Sequence, residues 1–455
     1  MLKAMKQTKY NKRYIARIVI EAATPLAVGT GEKSVLTDAL VASDINGLPF
    51  IPGSSIAGVL RHSIGDDNDK DSIFGFQQGD KGHGSRIIFT DAVLLDADGT
   101  AQDGLLTGEK SDFLSRYKEL PIRQHVCINE MGSTNDGGKF DEQVVYQGSR
   151  FVFEMEMVDD GNNEERYREV LNRIYSPYFR LGSGTRNGFG SMKVIDVQYR
   201  ALDLTGANDL RLYIDKSSSL RDKWEGFEPY TPANDDGHHW HEYVLELTPL
   251  DFFLFSSGFG DDDADITPVT EGYIKWDGEQ GQGRFIDQGV LIPATSLKGA
   301  LSHRVAYHWN RIKEFTAENK KGLTGDKNPA VKALFGSSGK ESDDICRGNV
   351  LFEDVIFEPG TSRTKLLNHV TIDRITGGTI DGHLFTEKVT VGQGTFEERL
   401  LVDSEVLKDE TVKNALESAL EDICDGLLPL GGGTNRGHGM FTGKIIKGKD
   451  DNGNQ

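Results

Sequence analysis

The segment LGSGTRNGFG at residues 181–190 returns almost unchanged as LGGGTNRGHG at residues 430–439. Self-similarity within one chain is the signature of a duplicated structural unit. Three further landmarks recur in the same order and with nearly constant spacing: IPGSSIAGVLRHSI (51–64) and IPATSLKGALSHRV (292–305), FGF…RIIFTDA (74–92) and FGS…RGNVLFEDV (335–355), HVCINE (125–130) and HVTIDR (369–374). The chain is therefore an internal duplication.

Each half has the same predicted order of strands and helices. Alternation of apolar and polar residues in RYIARIVIEAA (13–23) and EYVLELTPL (242–250) predicts half-buried strands. Helical periodicity in ERYREVLNRIY (165–175) and TVKNALESALEDICD (411–425) predicts a helix before each glycine-rich loop. This order predicts an α+β fold of two tandem ferredoxin-like or RRM-like domains, with helices on one face of an antiparallel sheet.

The length of 455 residues exceeds the usual size of one compact core. We predict a first domain over residues 1–199, a connector over 200–239 and a second domain over 240–455. The connector contains KSSSLRD and PYTPANDDGHH, which carry little apolar periodicity.

The net charge of −20 argues against a polyanionic partner when the chain is taken as an average. The acidic residues are clumped, however, as in GDDNDKD (65–71) and DDDAD (261–265). A basic run precedes the first acidic residue and consists of Lys3, Lys6, Lys9, Lys12, Arg13 and Arg17. A locally positive surface is therefore compatible with the composition, although both kinds of run also serve solubility.

Several common sites are excluded by their spacing. The cysteines Cys127, Cys346 and Cys424 are too few and too far apart for a disulfide framework or a thiolate metal site. DDDADITPVTE lacks the glycine and the final glutamate of a calcium-binding loop, and GTGEKS and GSSGKES lack the spacing of a phosphate-binding loop. The first segment lacks the apolar core of a secretory signal and no later segment has a membrane span, so we expect a cytoplasmic protein with no membrane partner.

The glycine-rich loops are the candidate ligand sites. Glycine permits positive φ, and such a loop can turn successive amide groups toward an anion such as a phosphate-bearing chain. The candidate contacts are Gly182, Gly184, Arg186 and Gly188 in the first loop, with Phe189 placed to stack on a base, and Gly431, Gly433, Arg436 and Gly437 in the second. The alternative is a tight helix-to-strand turn without a ligand, since duplication copies structural loops as well.

Taken together, the landmarks resemble the RAMP superfamily of CRISPR-associated proteins. The resemblance rests on IPGSS at a helix start, FG before the RIIFTDA strand, IDRIT at 372–376 and the late glycine-rich loop. It covers nearly all of both halves. Each half is similar to the backbone subunit of type III effector complexes, and the two-unit chain resembles the tandem backbone subunits of the type III-D variant.

The resemblance implies that the partners are a CRISPR guide RNA, a complementary target RNA and other CRISPR effector subunits. It also implies a β-hairpin thumb in each unit, at INEMGSTNDGGKF (128–140) and IDRITGGTIDGHLF (372–385). Helix starts present free amides and a positive dipole to phosphate. The candidate RNA contacts there are Ser54, Ser55, Arg61, Thr295, Ser296 and Lys298, with Arg374 in the second hairpin. Helix capping or simple solvation is the alternative for each.

The resemblance further implies metal-dependent cleavage of target RNA by an aspartate in the loop before the first helix, which is Asp38. Asp38 would hold a divalent ion, Mg²⁺ or Mn²⁺, or a water. In the second half Glu271 aligns directly with Asp38 and Asp265 lies nearby, and the shorter side chain of Asp265 favours it slightly.

Two functions remain open from the sequence. The chain is either a guide-binding subunit that also acts as an endoribonuclease, or a scaffold that binds RNA and cuts nothing. A tandem ferredoxin-like enzyme acting on a small ligand ranks below both, because the sequence shows no convergent set of His, Cys or Lys nucleophiles.

Overall fold

The structure is a computed structural model that describes residues 10–447, except for residues 32, 35–36, 66, 109–110, 130–132, 162, 234–238, 257, 315–322, 338–344, 359, 361 and 393. Lys3, Lys6 and Lys9 of the basic run lie outside the described residues, as do positions 130–132 of the first predicted hairpin.

Each half folds as one unit. The first unit consists of β1 (Lys12–Ala22), α1 (Gly53–Ser63), α2 (Asp67–Phe74), β2 (Phe76–Gln78), β3 (Lys81–His83), β4 (Ile87–Phe89), β5 (Val93–Leu94), α3 (Asp112–Ser115), β6 (Ile122–Ile128), β7 (Thr134–Gln143), β8 (Arg150–Asp159), α4 (Glu164–Asn172), β9 (Met192–Asp203), α5 (Ala207–Ile214) and β10 (Glu228–Pro229). The second consists of β11 (Trp240–Pro249), β12 (Phe252–Phe253), β13 (Thr270–Trp276), β14 (Gly283–Ile292), α6 (Ala294–Ile312), α7 (Pro329–Phe335), β15 (Gly336–Ser337), β16 (Cys346–Arg347), β17 (Val350–Phe352), β18 (Val355–Phe357), β19 (Ser362–Ile372), β20 (Thr379–Gly392), β21 (Phe396–Asp403), α8 (Glu410–Cys424) and β22 (Phe441–Lys447).

The two main sheets have the same strand order. The first runs β10-β9-β1-β8-β4, with β5 also paired to β8, and the second runs β22-β11-β21-β17. All these pairs are antiparallel. With β10 and β5 set aside, the first strand of each unit lies between the fourth and the third, which is the split β-α-β arrangement. The predicted fold of two tandem ferredoxin-like units is confirmed.

Local sequence explains why these elements form. Alternate residues of β1, among them Ile18 and Ile20, point into the first core. In α8, the side chain of Asp409 accepts hydrogen bonds from the first-turn amides, and Val412 and Leu416 on one face are buried in the second core. Each unit thus builds a core between its own sheet and its own helices.

A β-hairpin projects from each unit at the predicted place. The β6–β7 hairpin spans residues 122–143, and the β19–β20 hairpin spans residues 362–392. Both hairpins therefore start earlier in the chain than the predicted segments. These elements match the thumb-like hairpins of the predicted fold.

A second hairpin, β13–β14, lies in the long loop of the second half and crosses to the first unit; we call it the strap. The amide of Ile274 donates to the Gln147 carbonyl at 2.8 Å, and Ile274 is buried in the first core. The indole N–H of Trp276 donates to the Gly148 carbonyl at 2.7 Å, and the Arg150 guanidinium lies 3.9 Å from the centre of that ring. The second half therefore completes the core of the first.

The described part of the connector also packs on the first unit. Its β10 pairs with β9, and Leu220 belongs to a small cluster with Val152 on the other face of the sheet. The domain boundaries at 199 and 240 stay a prediction.

The described part of the basic run does not form a positive patch. Lys12 pairs with Asp203 at 2.7 Å, and Arg17 pairs with Glu154 at 2.8 Å across the sheet. These cations are neutralised by strand neighbours, which the sequence could not show.

Glu398 in β21 is a buried carboxyl. It corresponds to Phe153 in β8 when β21 and β8 are aligned by their pairing with β17 and β4, respectively. It is 2% exposed, and its Oε1 has no hydrogen-bond partner among the described residues. Burial, followed by the charges of Asp354 and Glu353, raises the pKa of Glu398 well above its usual value. The folded protein therefore holds a proton here that the unfolded chain releases.

We expect Glu398→Gln to flatten the dependence of stability on pH. Because the native state binds the extra proton, the free energy of unfolding falls as the pH rises above the unfolded pKa, by up to about 1.4 kcal/mol per pH unit. The increase in the free energy of unfolding that Glu398→Gln produces, relative to the wild type, should therefore grow between about pH 5 and pH 8. Chemical denaturation measures it, with the exposed neighbour Glu397→Gln as control. Parallel curves for wild type and Glu398→Gln would contradict a protonated carboxyl.

Candidate nucleic-acid interface

Aspartates that lie just after β4 and β17 cap the two helices that were expected to bind phosphate. The carboxylate of Asp91 accepts the amide of Gly53 at 2.8 Å, and that of Asp354 accepts the amide of Ala294 at 2.7 Å. Each helix begins directly after its proline, so the hydroxyl residues lie inside the first turn and make no capping bond. Helix capping, the alternative that the sequence offered for Ser54, Ser55, Thr295 and Ser296, is therefore wrong, and their contact with RNA stays a prediction.

The first glycines of each loop serve a tight turn. A Cβ on Gly182 would lie 2.4 Å from the Ala27 carbonyl oxygen, and one on Gly431 would lie 2.6 Å from that of Leu254. Both glycines have positive φ. The amide of Ser183 donates to the Ala27 carbonyl at 2.7 Å, so it is used within the unit. This amide is therefore not free to bind a phosphate, and the cradle of loop amides stays a prediction.

The next glycines make room for a ring. A Cβ on Gly184 would lie 2.5 Å from the Phe189 ring, and one on Gly433 would lie 2.6 Å from the His438 ring. Phe189 is fully buried, so the expectation that it stacks on a base was wrong.

The first glycine-rich loop docks on the second unit, and we call this contact the joint. A Cβ on Gly188 would lie 2.5 Å from the Cβ of Ala294, so only glycine fits there. Arg180 Nη1 donates to the Phe352 carbonyl at 2.7 Å. Gly437, at the same place in the second loop, has nothing within 4 Å. The joint comprises Arg180, Arg186, Asn187 and Gly188 of the first unit and Ala294, Lys298, Gly348 and Phe352 of the second unit.

A buried charge network stands behind the joint. Arg123, in β6, forms a two-pronged salt bridge with Glu271 in the strap, and its Nη1 lies 3.0 Å from Asp354 Oδ2. Its guanidinium also lies over the Phe189 ring. Burial lowers the pKa of Arg123, but the charges of Asp354 and Glu271 outweigh it and raise the pKa overall. Glu271 was thus wrongly chosen as a candidate catalytic carboxylate, since both its oxygens bind Arg123.

Three cationic side chains and a histidine meet beside the joint, and we call them the joint cluster: Arg186, Lys298, Arg347 and His62. Arg186 Nε donates to the Gly348 carbonyl at 3.1 Å, and Lys298 Nζ donates to Asn187 Oδ1 at 2.9 Å. Arg347 Nη1 lies 3.4 Å from His62 Nε2. Among the described residues, no carboxylate forms a salt bridge with any of the four.

The joint cluster is electrostatically unbalanced. Burial, followed by the neighbouring Arg347 and Arg180, lowers the pKa of Arg186 to about 10. Burial and then Arg186 lower the pKa of Lys298, and burial lowers that of Arg347. An anion would relieve this repulsion. Sequence reasoning named Arg186 and Lys298 but missed Arg347 and His62, which lie in the landmarks and meet only because the units dock.

The second loop is arranged differently. Arg436 Nη2 pairs with Glu387 Oε2 at 2.5 Å, while His369 Nε2 and His438 Nε2 lie 2.8 and 3.2 Å from Glu387 Oε1. Glu387 is fully buried. Arg436 therefore neutralises a carboxylate and carries no unpaired charge for phosphate.

The two remaining predicted cations lie apart. Arg61 pairs with Asp71 at 2.8 Å on α1 and α2. Arg374 is exposed at the turn of the β19–β20 hairpin, where the carboxylate of Asp373 accepts the amide of Thr376 at 2.6 Å. Arg374 is thus an exposed residue, whereas Arg61 is half-buried as a residue and held by its pairing with Asp71.

Asp38 and Asp265 occupy equivalent places at the foot of the two hairpins. The amide of Asp38 donates to Asp141 Oδ1 at 2.8 Å, and the amide of Thr386 donates to Asp265 Oδ2 at 2.7 Å. The residue after each aspartate forms a parallel bridge with the outgoing hairpin strand. Both side chains are in exposed residues. Asp265, and not Glu271, is thus the counterpart of Asp38.

The residues around Asp38 fit a hard divalent cation in part. Within the described residues, no group of three His, Cys, Asp or Glu side chains is arranged to hold a metal ion. Exposed Asp38 and half-buried Asp141 each accept the other's backbone amide at the hairpin base. Carboxylate oxygens are ligands that Mg²⁺ or Mn²⁺ takes, with water and phosphate supplying the rest. In the second unit Thr386 stands in place of Asp141, so that site offers one carboxylate fewer.

Two split β-α-β units joined across an unpaired cationic cluster define a tandem protein with a surface suited to an anionic chain. The RAMP superfamily model matches residues 19–193 and 281–442, so the chain belongs to the RAMP superfamily. No curated protein matches the chain. The family supports the coarser expectation of a CRISPR-associated RNA-binding subunit. In the described part of the chain, no helix is both long and apolar enough to cross a bilayer.

We expect Arg123→Met to lower the free energy of unfolding by about 3–5 kcal/mol, because it leaves two buried carboxylates without their cation. The triple variant Arg123→Met/Glu271→Gln/Asp354→Asn removes the charges as well and should recover much of the loss. Denaturant unfolding measures both. The exposed Arg399→Met is the control, with an effect of about 0.5 kcal/mol or less. Equal losses in the single and triple variants would contradict a network held by charge.

Proposed function

We propose that the chain is a guide-RNA-binding backbone subunit of a type III CRISPR effector complex, in the tandem form of the III-D variant, and that it also cleaves complementary target RNA. The joint cluster is the observation that carries the RNA-binding part. Its cations come from both units and lie beside the start of α6, where Lys298 is one turn into the helix. A phosphate backbone crossing the joint would meet three cations that form no salt bridge with a carboxylate among the described residues.

The cleavage part of the proposal rests on Asp38 and Asp265. Each is exposed at the foot of a hairpin that would meet the target, and each is held in place by a hydrogen bond to the outgoing strand. Bound there, a divalent ion would offset charge developing on the phosphate oxygens. The carboxylates themselves would orient the ion or a water. With Asp141 beside it, Asp38 has the stronger site.

A non-catalytic RNA-binding scaffold is the second candidate. It is favoured by the lack of a three-ligand metal group among the described residues and by Thr386 in place of Asp141 in the second unit. The two candidates share the joint cluster and differ only at the aspartates.

The RNA-binding part is tested with RNA extracted from natively purified protein, which we expect to be short and to share a repeat-derived end. Binding of this RNA to Arg347→Ala/Lys298→Ala should be weaker, and the slope of log affinity against log salt should shrink by about 0.7 for each lost phosphate contact. Lys408→Ala, a cation paired with Glu405, is the matched control. Protein free of RNA, or an unchanged slope in the double variant, would refute the assignment.

Cleavage is tested in the assembled complex with Asp38→Asn, Asp265→Asn and the double variant. We expect each single variant to lose one cut, with the rate at that position falling by about a hundredfold or more, and guide binding to be unchanged. Asp44→Asn is the control, because Asp44 lies in the same loop and accepts turn amides that asparagine also satisfies. If the double variant cuts the target RNA unchanged at every position, the cleavage part of the proposal is wrong and the non-catalytic scaffold is the remaining function.

A further inference from the structure

The second glycine-rich loop contacts the hairpin of its own unit at one buried carboxylate. Arg436 Nη2 lies 2.5 Å from Glu387 Oε2, and His438 Nε2 lies 3.2 Å from Glu387 Oε1. Glu387 is fully buried in β20. A buried carboxylate is stable only while its counter-charge and its hydrogen-bond donors are in place. The loop therefore fixes the position of Glu387 in the outgoing strand of the hairpin.

Glu387 lies in the stretch of β20 that holds the segment around Asp265. On one side of Glu387, the amide of Thr386 donates to Asp265 Oδ2 at 2.7 Å, and the Thr386 carbonyl accepts the amide of Asp265 at 2.9 Å. On the other side, the amide of Lys388 donates to the Ile266 carbonyl at 2.8 Å. A displacement of Glu387 would therefore move the groups that orient the Asp265 carboxylate.

The first unit holds its aspartate by a different arrangement. The amide of Asp38 donates to Asp141 Oδ1 at 2.8 Å, and the amide of Asp141 donates to Asp38 Oδ2 at 3.3 Å. Each aspartate thus holds the other through its side chain. In the second unit Thr386 replaces Asp141, so the bond to the amide of Asp265 comes from the Thr386 backbone carbonyl instead.

The arginine contact belongs to the second unit. Asn187 stands in place of Arg436 in the first glycine-rich loop. Glu142, the counterpart of Glu387, lies 3.0 Å from His125 and forms no salt bridge with an arginine among the described residues. The unit in which threonine replaces the second aspartate is thus the unit in which the glycine-rich loop holds the outgoing strand.

We propose that the second glycine-rich loop positions Asp265 for cleavage of target RNA, with Arg436 and Glu387 as positioning residues. The loop acts through β20, and its arginine binds the buried carboxylate instead of the reacting phosphate. This inference rests on the proposed function of Asp265, and it assigns to the second loop a role that differs from the role of the first loop in the joint.

The test uses the assembled complex and a target that carries both cut positions, so the Asp38 cut is the internal reference. We expect Arg436→Met to lower the maximal rate at the Asp265 position by about tenfold or more, because Glu387 keeps only its histidine donors. Guide binding and the target concentration that gives half the maximal rate should be unchanged. Arg436→Lys keeps a cation for the one oxygen that Arg436 binds and should restore most of the rate.

The double variant Arg436→Met/Glu387→Gln separates positioning from contact with RNA. It removes the buried charge together with its partner, and the glutamine amide oxygen still accepts hydrogen bonds from the histidines. We therefore expect the double variant to cut at the Asp265 position much faster than Arg436→Met. A double variant as slow as the single variant would contradict the inference, because Arg436 would then act by contact with RNA.

Hydrogen exchange in the free chain tests the same coupling without cleavage. Arg436→Met should speed exchange at the amides of Thr386 and Lys388 by about tenfold or more, and the double variant should restore their protection. Unchanged exchange in α8 and at Asp141 shows that the variants are folded.

The two measurements distinguish failure of the inference from failure of the proposed function. If cutting depends on Asp265 while Arg436→Met changes neither the rate nor the exchange, the inference is overturned. If Asp265→Asn leaves every cut unchanged while Arg436→Met speeds exchange at Thr386, the coupling of the loop to Asp265 is supported and the cleavage role of Asp265 is refuted.

Discussion

The burial of Arg123 between Glu271 and Asp354 is the constraint on which the rest of the structure depends. Removing a guanidinium and two carboxylates from water is compensated only when all three are in place. They come from the first hairpin, the strap and the segment that caps α6. The network therefore fixes these three elements together. The joint lies directly against this network. Asp354 lies next to the position that a Cβ on Gly188 would take, and the Arg123 guanidinium lies over the Phe189 ring.

Duplication has kept the fold and changed the polar contacts. The first unit has a His–Glu pair at its hairpin base, His125 with Glu142, and the second has the same pair in His369 and Glu387. Only the second adds Arg436 to it. The first glycine-rich loop forms the joint with the second unit, and the second glycine-rich loop contacts the β19–β20 hairpin of its own unit. Equivalent position in the two units therefore does not give equivalent function, and the two loops need separate mutational tests.

The sequence predicted what depends on neighbours along the chain. Periodicity located β1, β11, α4 and α8, and the repeat gave their order in both units. It failed where distant residues meet. The helix caps are Asp91 and Asp354, far along the chain from the helices, while the local Ser and Thr residues suggested otherwise. A gapless alignment placed Glu271 opposite Asp38 because it did not allow for the strap that is inserted in the second half. The joint cluster forms only when the two units dock, so the sequence could not show it.

The acidic composition does not conflict with RNA binding, because electrostatic interactions in salt are local. At physiological ionic strength, exposed charges are screened over about 8–10 Å, so a ligand at the joint responds to the charges near it and not to the total of −20. Much of the acid is already paired, as Asp203 is with Lys12 and Glu154 with Arg17. The joint cluster is the opposite case, with three cations whose pKa values are lowered by burial or by each other. An acidic protein can thus bind a polyanion at a place where, within the described residues, its cations form no salt bridge with a carboxylate.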